Sequence, residues 1–434
     1  MQQSDVVLRL GRLMLAAGAG AYRVKSSMAR AAAAVGLDRH EATVTMSEIV
    51  TSSYVGERFR TEACEVRHVG VNVDRLEALR RIVHDLRAHE SVEGLESKLD
   101  AVERRTALYG PAVNALASGA ACAGFSFLNG GGWIEVVSVL IAASIGQLVR
   151  RHMLHRHIQH FFTWIVCGVS ASGAYMLIVT ALHAAGIATG SHQGGLVSSI
   201  LFLVPGFPLV TAMLDLVRQD LSSAVSRAAY VLMVMAAGGV AVWTVTFAFQ
   251  WQVEADAVAL PTGPALHVLR CAASFVAAYG FAVLFNAGPK ACLLAAVIGA
   301  VVNTARLVVI EELGVPWQLA VGLAALCIGL LAQAFVARVS LSRVALSVPA
   351  VVIMIPGVPF YRAIKALNDR TVDTSVAAGQ AAANLAEVFF VVVAIGVGMA
   401  MARILTDRNW RHDVATSERL VLPEPQGPRP SVGD

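Results

Sequence analysis

Two stretches decide how this chain is read: LFLVPGFPLV at residues 201–210 and VIMIPGVPFY at 352–361. Each sets Pro-Gly-x-Pro inside an apolar run long enough to be a buried helix. Proline there removes a backbone donor and clashes with the preceding turn, so both runs must break. Inside a bilayer a broken helix is tolerated only where protein or water satisfies the freed backbone groups, which gathers breaks around cavities. The half-helix that follows turns its N-terminal amides and positive dipole end toward that cavity, a setting for an anion such as an amino-acid carboxylate. A packing kink accounts for either motif alone. Two at matching places make Pro205, Gly206, Pro356 and Gly357 candidate substrate-binding positions.

The surroundings are those of a membrane protein. Of the 434 residues, 56% are hydrophobic and 15% charged, with a mean hydropathy of +0.63, the balance of a polytopic chain. Residues 1–110 hold 31 of the 64 charges and the other 324 residues only 33, so a polar region precedes a membrane domain. The net charge of +4 is dispersed, which gives no footing for nucleic acid. The six cysteines show no CxxC spacing and read as small buried hydrophobes. RLGRLMLAAGAGAYRVK, from Arg9, has the charge order of a signal peptide but continues as a helical pattern.

Runs of roughly 20 apolar residues, the length that crosses a bilayer core, lie near 112–129, 132–149, 160–185, 194–214, 224–249, 264–284, 289–310, 316–337, 344–361 and 376–404. The two Pro-Gly motifs are 151 residues apart, and that offset carries the first span onto the sixth and the fifth onto the tenth. The expected fold is a polytopic α-helical membrane protein of about ten spans, built as two inverted five-helix repeats with a small α+β cytosolic N-terminal domain. The inversion follows from the odd number of spans per copy. The expected divisions are a cytosolic domain at 1–110, repeats at 111–250 and 264–405, and a Pro-rich disordered tail at 412–434.

Loop charges orient this arrangement. With the N-terminal domain cytoplasmic, the inner side holds Arg150, Arg151, Arg156, Arg218, Arg227, Lys290, Arg338, Arg343, Arg403, Arg408 and Arg411, and the outer side Arg362, Lys365 and Arg370. Positive charge favours the inside, which places both termini in the cytoplasm. Residues 1–110 open with one helical pattern ending at Gly36, followed by β-leaning runs in ATVTMSEIVTSSYV and EVRHVGVNV. An amphipathic helix over DRLEALRRIVHDLRAHE completes the domain.

Polar residues within spans are the next candidates, because an ionisable group there is costly and tends to face a pathway. Asp215, ten residues after Pro205, can pair a substrate ammonium, carry a coupling proton or be a solvated interfacial carboxylate. Gln380, Asn384 and Glu387 are spaced by four and three and share a helix face. Asn303 and Arg306 also share one, where Arg306 can neutralise Glu387, meet a substrate carboxylate or snorkel. Arg270 reads as a helix-pairing residue. His152, His155, His157 and His160 lie among arginines without carboxylates, the pattern of a basic loop rather than a metal site. No nucleophile elbow, zincin or P-loop spacing occurs, so neither enzyme chemistry nor a cofactor or metal is expected, and an ion gradient must supply the energy.

Together AGAGAYRVKSSMARAAAAVGL, VRHVGVNVDRLEALRRIVHDL, VPGFPLVTAMLDLVRQDLSSAVSRAAY and VPAVVIMIPGVPFYRAI resemble the bacterial threonine/serine exporter family over nearly the whole chain short of the tail. The resemblance makes Pro205, Gly206 and Asp215, with Gly18, Tyr22 and Arg23 near the start, family motif positions. Gly20 and Lys25 stand where the family pattern has acidic residues. The family's N-terminal domain has been likened to hydrolases, but the serines of MSEIVTSSYV, with Glu65 and His68, form no recognisable catalytic set. The resemblance implies a multi-pass protein of the bacterial inner membrane that exports threonine and serine. The expected partners are an amino-acid substrate, the proton as coupling ion and membrane lipid, with a homo-oligomer left open. Related two-chain systems are associated with dicarboxylates such as succinate, so a dicarboxylate exporter is the nearest alternative. A membrane-anchored hydrolase or receptor is a more distant one.

Overall fold

Residues 2–34 form two helices where the sequence suggests one. In the computed structural model α1 (Gln2–Ala16) ends ahead of Gly18, whose φ of +96° is open to glycine and strained for other residues, and α2 (Ala21–Ala34) starts afresh. The helices then fold back on each other with Gly11 against Met28, where a Cβ would stand 2.4 Å from the sulfur. The structure describes residues 2–67, 70–188, 192, 194–249, 262–339, 341–368 and 373–411. His68, Arg370 and the tail at 412–434 lie outside the described residues.

The chain divides into two compact units. The first comprises Met1–Ala107, Leu214–Arg227 and Arg408–Asp434; the second comprises Leu108–Met213 and Ala228–Asp407. In the first unit β1 (Arg39–Val44), β2 (Glu48–Val55) and β3 (Arg58–Glu65) pair as an antiparallel meander. The third strand starts seven residues before EVRHVGVNV, of which only Glu65 is in it, while Val66, Arg67 and Gly70–Asn72 belong to neither β3 nor the next helix. The Asn72 side chain caps α3 (Val73–Asp85) by accepting from Arg75 N at 3.1 Å. A further helix, α4 (Val92–Glu103), follows a Ser91 cap and was not anticipated. Leu10, Met14, Val24, Met28, Leu79 and Leu95 fill the core.

One buried polar cluster sits in this core. Ser53 Oγ lies 3.0 Å from His40 Nδ1 and Thr51 Oγ1 3.1 Å from Nε2, while the Ser4 hydroxyl, 3.1 Å from Ser53, meets Glu62 at 2.5 Å. Burial pushes the His40 pKa down to about 4. The unfolded chain therefore binds a proton that the folded unit refuses between about pH 6.5 and pH 4. Stability is complete above pH 6.5 and falls as pH drops through that window, by up to about 3 kcal/mol at 1.36 kcal/mol per unit. Amide exchange along β2, corrected for its intrinsic pH dependence, should quicken across this range in the wild type and stay flatter in His40→Gln. Equal behaviour of the two would remove His40 from the acid response.

The second unit is helical: α5 (Pro111–Leu128), α6 (Trp133–His155), α7 (His160–Ala184), α8 (Gly194–Ser199), a 3₁₀ turn (Leu201–Leu203), α9 (Gly206–Val217), α10 (Leu221–Ala248), α11 (Pro264–Leu284), α12 (Pro289–Leu313), α13 (Trp317–Val339), α14 (Arg343–Val352), α15 (Gly357–Asn368) and α16 (Thr374–Thr406), before the short α17 (Arg408–Arg411) of the first unit. Both α9 and α10 cross the division, so Leu214–Arg227 joins the N-terminal residues in one compact body. Among the described residues eight helices are long and apolar enough to span a bilayer, and the pairs α8/α9 and α14/α15 raise the number to ten if each bent pair counts as one span. Trp133, Phe247, Phe389 and Phe390 are exposed, a surface that water would disfavour and lipid accepts. Between α5 and α11 glycines admit close approach in a reciprocal pattern. A Cβ on Gly124 would meet Ala273 O at 2.7 Å and Ala277, and one on Gly280 would meet Ala117 O at 2.5 Å and Ala121. Residue numbers rise along one helix as they fall along the other, so the two helices cross antiparallel.

Candidate functional site

Both Pro-Gly motifs break their helices as the sequence demands, and they do so with the same local geometry. Gly206 N–H donates to Val204 O at 2.8 Å around Pro205, and Gly357 N–H donates to Ile355 O at 2.9 Å around Pro356. Each proline is thus the centre of a three-residue turn. The axes bend by 67° at the first break and 47° at the second. Pro208 and Pro359 occupy the first turns of α9 and α15, where a missing donor costs nothing. With Gly206 and Gly357 engaged and the next proline lacking a donor, each half-helix offers one amide from its first three residues, that of Phe207 or of Val358.

The two breaks pack on each other. A Cβ on Gly206 would come 2.7 Å from Val352 Cγ2 and 3.0 Å from Ile355 Cδ1, and one on Gly357 would come 3.3 Å from Leu201 Cδ1. Under the 151-residue offset Gly206 maps to Gly357 and Leu201 to Val352, so the two contacts join corresponding positions of the sequence. Beside it lies an apolar cavity of about 40 Å³ lined by Leu201, Val204, Gly357, Phe360, Tyr361 and Ile364 among others. That is room for about three water-sized groups. No charged side chain among the described residues lines it.

Asp215 is elsewhere, in the first unit, and its carboxylate is fully engaged. It accepts from Ala21 N at 3.1 and 3.3 Å and from Ser223 Oγ at 2.9 Å, and pairs with Arg227 Nε at 3.1 Å. Arg227 also donates to Ala19 O at 2.8 Å. Both charged side chains are almost wholly buried, at 1% and 3% exposure. Asp215 thus sits at the start of α2, where the amide and dipole favour an anion. Gly20 leaves room for it, since a Cβ there would lie 3.0 Å from Oδ1. Lys25 pairs with Asp220. Tyr22 meets Trp410 edge to face at 5.9 Å, with the Arg218 guanidinium 4.3 Å over its ring. Gly18 forms the bend before α2 and Arg23 is half-buried in its first turn. The opening motif and the segment after the first break therefore fold as one body. Arg227, read from sequence as an inner-loop charge, is a buried ion-pair partner because the N-terminal residues cover it.

The remaining candidates form two separate sets. Asn303, fully buried, donates to Ser274 Oγ at 2.8 Å and accepts from Arg306 Nε at 3.0 Å. Asn384 donates to Gln380 O at 2.8 Å within α16, with Gln380 exposed and Glu387 half-buried. No ion pair joins Arg306 to Glu387 among the described residues, so Arg306 does not neutralise it here. Arg270 does pair helices, forking onto Glu311 at 2.5 and 2.7 Å across α11 and α12. His160 approaches Tyr230 at 2.9 Å.

Sequence reasoning passed over Glu135 and His192. They meet at 2.8 Å, with side chains 3% and 8% exposed. A signal existed, because Glu135 is the single acidic residue between Glu103 and Asp215. Its place in the first turn of α6 has the ordinary reading of an exposed acid facing the helix dipole.

Comparison with known proteins places these features in context. Residues 5–249 match the family model described as putative threonine/serine exporter, and residues 270–405 match a second model described as threonine/serine exporter, ThrE. A probable succinate transporter subunit, YjjP, of Escherichia coli K12 is 26% identical over 237 residues, covering 52% of this chain and 88% of that protein. The probable succinate transporter subunit YjjP of Klebsiella aerogenes is 24% identical over 221 residues, covering 49% and 81%. No solved structure matches. With the first model spanning more than half of the sequence and the second most of the remainder, the chain belongs to the threonine/serine exporter family, a family of multi-pass membrane transporters and not enzymes.

Proposed function

We propose that the chain is a secondary exporter of small polar metabolites, threonine and serine first, working by proton-coupled alternating access around the two broken helices. The reading rests on one observation above all. Gly206 against Val352 and Gly357 against Leu201 is the contact that an inverted pair of five-helix units makes across its pseudo-two-fold axis. The antiparallel Gly124 and Gly280 contacts repeat the pattern at the first helix of each half, and transporters of this build bind substrate where the repeats meet. Substrate enters when the halves part and the Phe207 and Val358 amides become available to its carboxylate. The arginine-rich loops support an orientation with both termini in the cytoplasm, by the positive-inside rule.

A second reading is favoured by the relatives named as succinate transporter subunits and by Arg306, a largely buried cation held by Asn303: the substrate is a dicarboxylate. Efflux of labelled threonine, serine and succinate from preloaded vesicles decides between them. The intact chain is compared with Pro205→Ala/Pro356→Ala and with added protonophore. Amino-acid efflux that needs both the motifs and the gradient supports the first reading. Movement of succinate alone transfers the site to a dicarboxylate carrier. Transport indifferent to the prolines would turn both motifs into packing kinks.

A further inference from the structure

We propose that Glu135 and His192 form the proton-binding site of the carrier. The proposal deepens the proton-coupled reading above and rests on it. Glu135 Oε1 is 2.8 Å from His192 Nδ1, which leaves Glu135 Oε2 and His192 Nε2. Both of these atoms are buried and neither has a hydrogen-bonding partner among the described residues. An acid used only to complement the α6 dipole would lie at the surface. A histidine used only for packing would satisfy its second nitrogen. Two orphaned titratable atoms side by side instead describe a place where a proton is added and removed.

The chemistry balances within the pair. With Glu135 ionised and His192 neutral, the Nδ1–H donates to the carboxylate and the pair carries one negative charge. A proton arriving at Nε2 converts the ring to imidazolium, and the net charge of the pair goes from minus one to zero. No other bond changes. Among the described residues the groups facing the pair are few: the Tyr175 hydroxyl of α7 donates to His192 O, and the His183 ring of α7 lies 5.4 Å from that of His192. Neither supplies a fixed charge, and α5 and α8 bring no acid or base against it.

A route leads away from the site. Around Gly131, where a Cβ would meet Ser126 Oγ at 2.7 Å and Glu135 Cβ at 3.2 Å, the ends of α5 and α6 come together. Ser126 and Ser118 of α5 and Ser138 of α6 are buried hydroxyls without partners. Farther along the same helix pair, Asn114 accepts from Gln147 at 2.7 Å, and Gln147 accepts from Arg150. Glu135 to Arg150 is fifteen residues of helix, about 22 Å at 1.5 Å per residue, most of a bilayer core. Hydroxyls both donate and accept, so with water this polar seam can pass a proton between the pair and the opposite end of α6.

The test separates proton coupling from substrate movement. The full chain is reconstituted, and wild type, Glu135→Gln and His192→Gln are assayed for gradient-driven net efflux and for equilibrium exchange of labelled threonine without a gradient, each with a detergent melting curve as a folding control. The expected result is a loss of at least tenfold in net efflux with exchange within about twofold of wild type. Glu135→Asp, which keeps the acid, restores gradient-driven efflux with its pH midpoint shifted, and serves as the decisive variant if the glutamine forms melt early. Net efflux that stays proton-driven in both glutamine variants overturns the assignment while leaving the exporter reading intact. Equal loss of exchange and net efflux in well-folded variants overturns it in favour of a substrate contact. Wild-type efflux that ignores the proton gradient overturns the assignment and the coupled reading together.

Discussion

Gly206→Ala is expected to lower transport at least tenfold, and Val352→Ala in the same chain to recover much of the loss. The first substitution places a Cβ 2.7 Å from Val352 Cγ2 and 3.0 Å from Ile355 Cδ1, closer than two carbons can approach. Overpacking of this kind costs about 1–3 kcal/mol. Under the proposed alternating access two half-helices slide past or part from each other here, so the substitution acts on the moving contact itself. Gly357→Ala is expected to be milder, because its Cβ would stand 3.3 Å from the flexible end of Leu201. Efflux of the four variants, with melting curves to separate misfolding from jamming, checks the order. An undiminished Gly206→Ala would show that the two breaks do not work against each other.

Asp215→Asn and Arg227→Gln should each destabilise the protein strongly, by about 3–5 kcal/mol, and the double substitution by much less. Removing one member of the pair strands the other as a buried charge with 1% or 3% exposure, whereas removing both leaves amides that can still bond Ala21 N, Ser223 and Ala19 O. The coupling is read from a double-mutant cycle of denaturation in detergent. Singles as stable as wild type would show that water reaches the pair. The same substitutions bear on mechanism. The α9 helix begins at the first Pro-Gly break and carries Asp215 of this ion pair near its end, so the N-terminal residues hold the far end of a half-helix that the proposed alternating access would move. A role for Asp215 as a latch, rather than a contact for substrate ammonium, predicts that the double variant regains efflux along with stability.

How much could be read in advance depends on where the information lies. The spans were legible because burying about 20 residues in lipid requires a continuous apolar run, and the breaks because proline forbids an interior helix wherever it falls. The α3 helix followed from its amphipathic period, and the strand character of residues 42–55 from their β-leaning composition, though not their division into β1 and β2. The break at Gly18 was hidden, since glycine inside an alanine-rich pattern is compatible with one helix or two. Asp215 was recognised as a motif position but not as the partner of α2, nor Arg227 as its counter-ion. Each looked like an ordinary charge at the end of a span.

For this protein the sequence by itself determined the membrane class, the two helix breaks and the family, because hydropathy, proline chemistry and motif spacing are properties of short segments. Only the tertiary structure decided which charges are buried and paired. Asp215 with Ala21, Glu135 with His192 and Gly206 with Val352 lie 194, 57 and 146 residues apart, and a charge's cost or use depends on the neighbours that exclude water from it, which sequence-local patterns do not record.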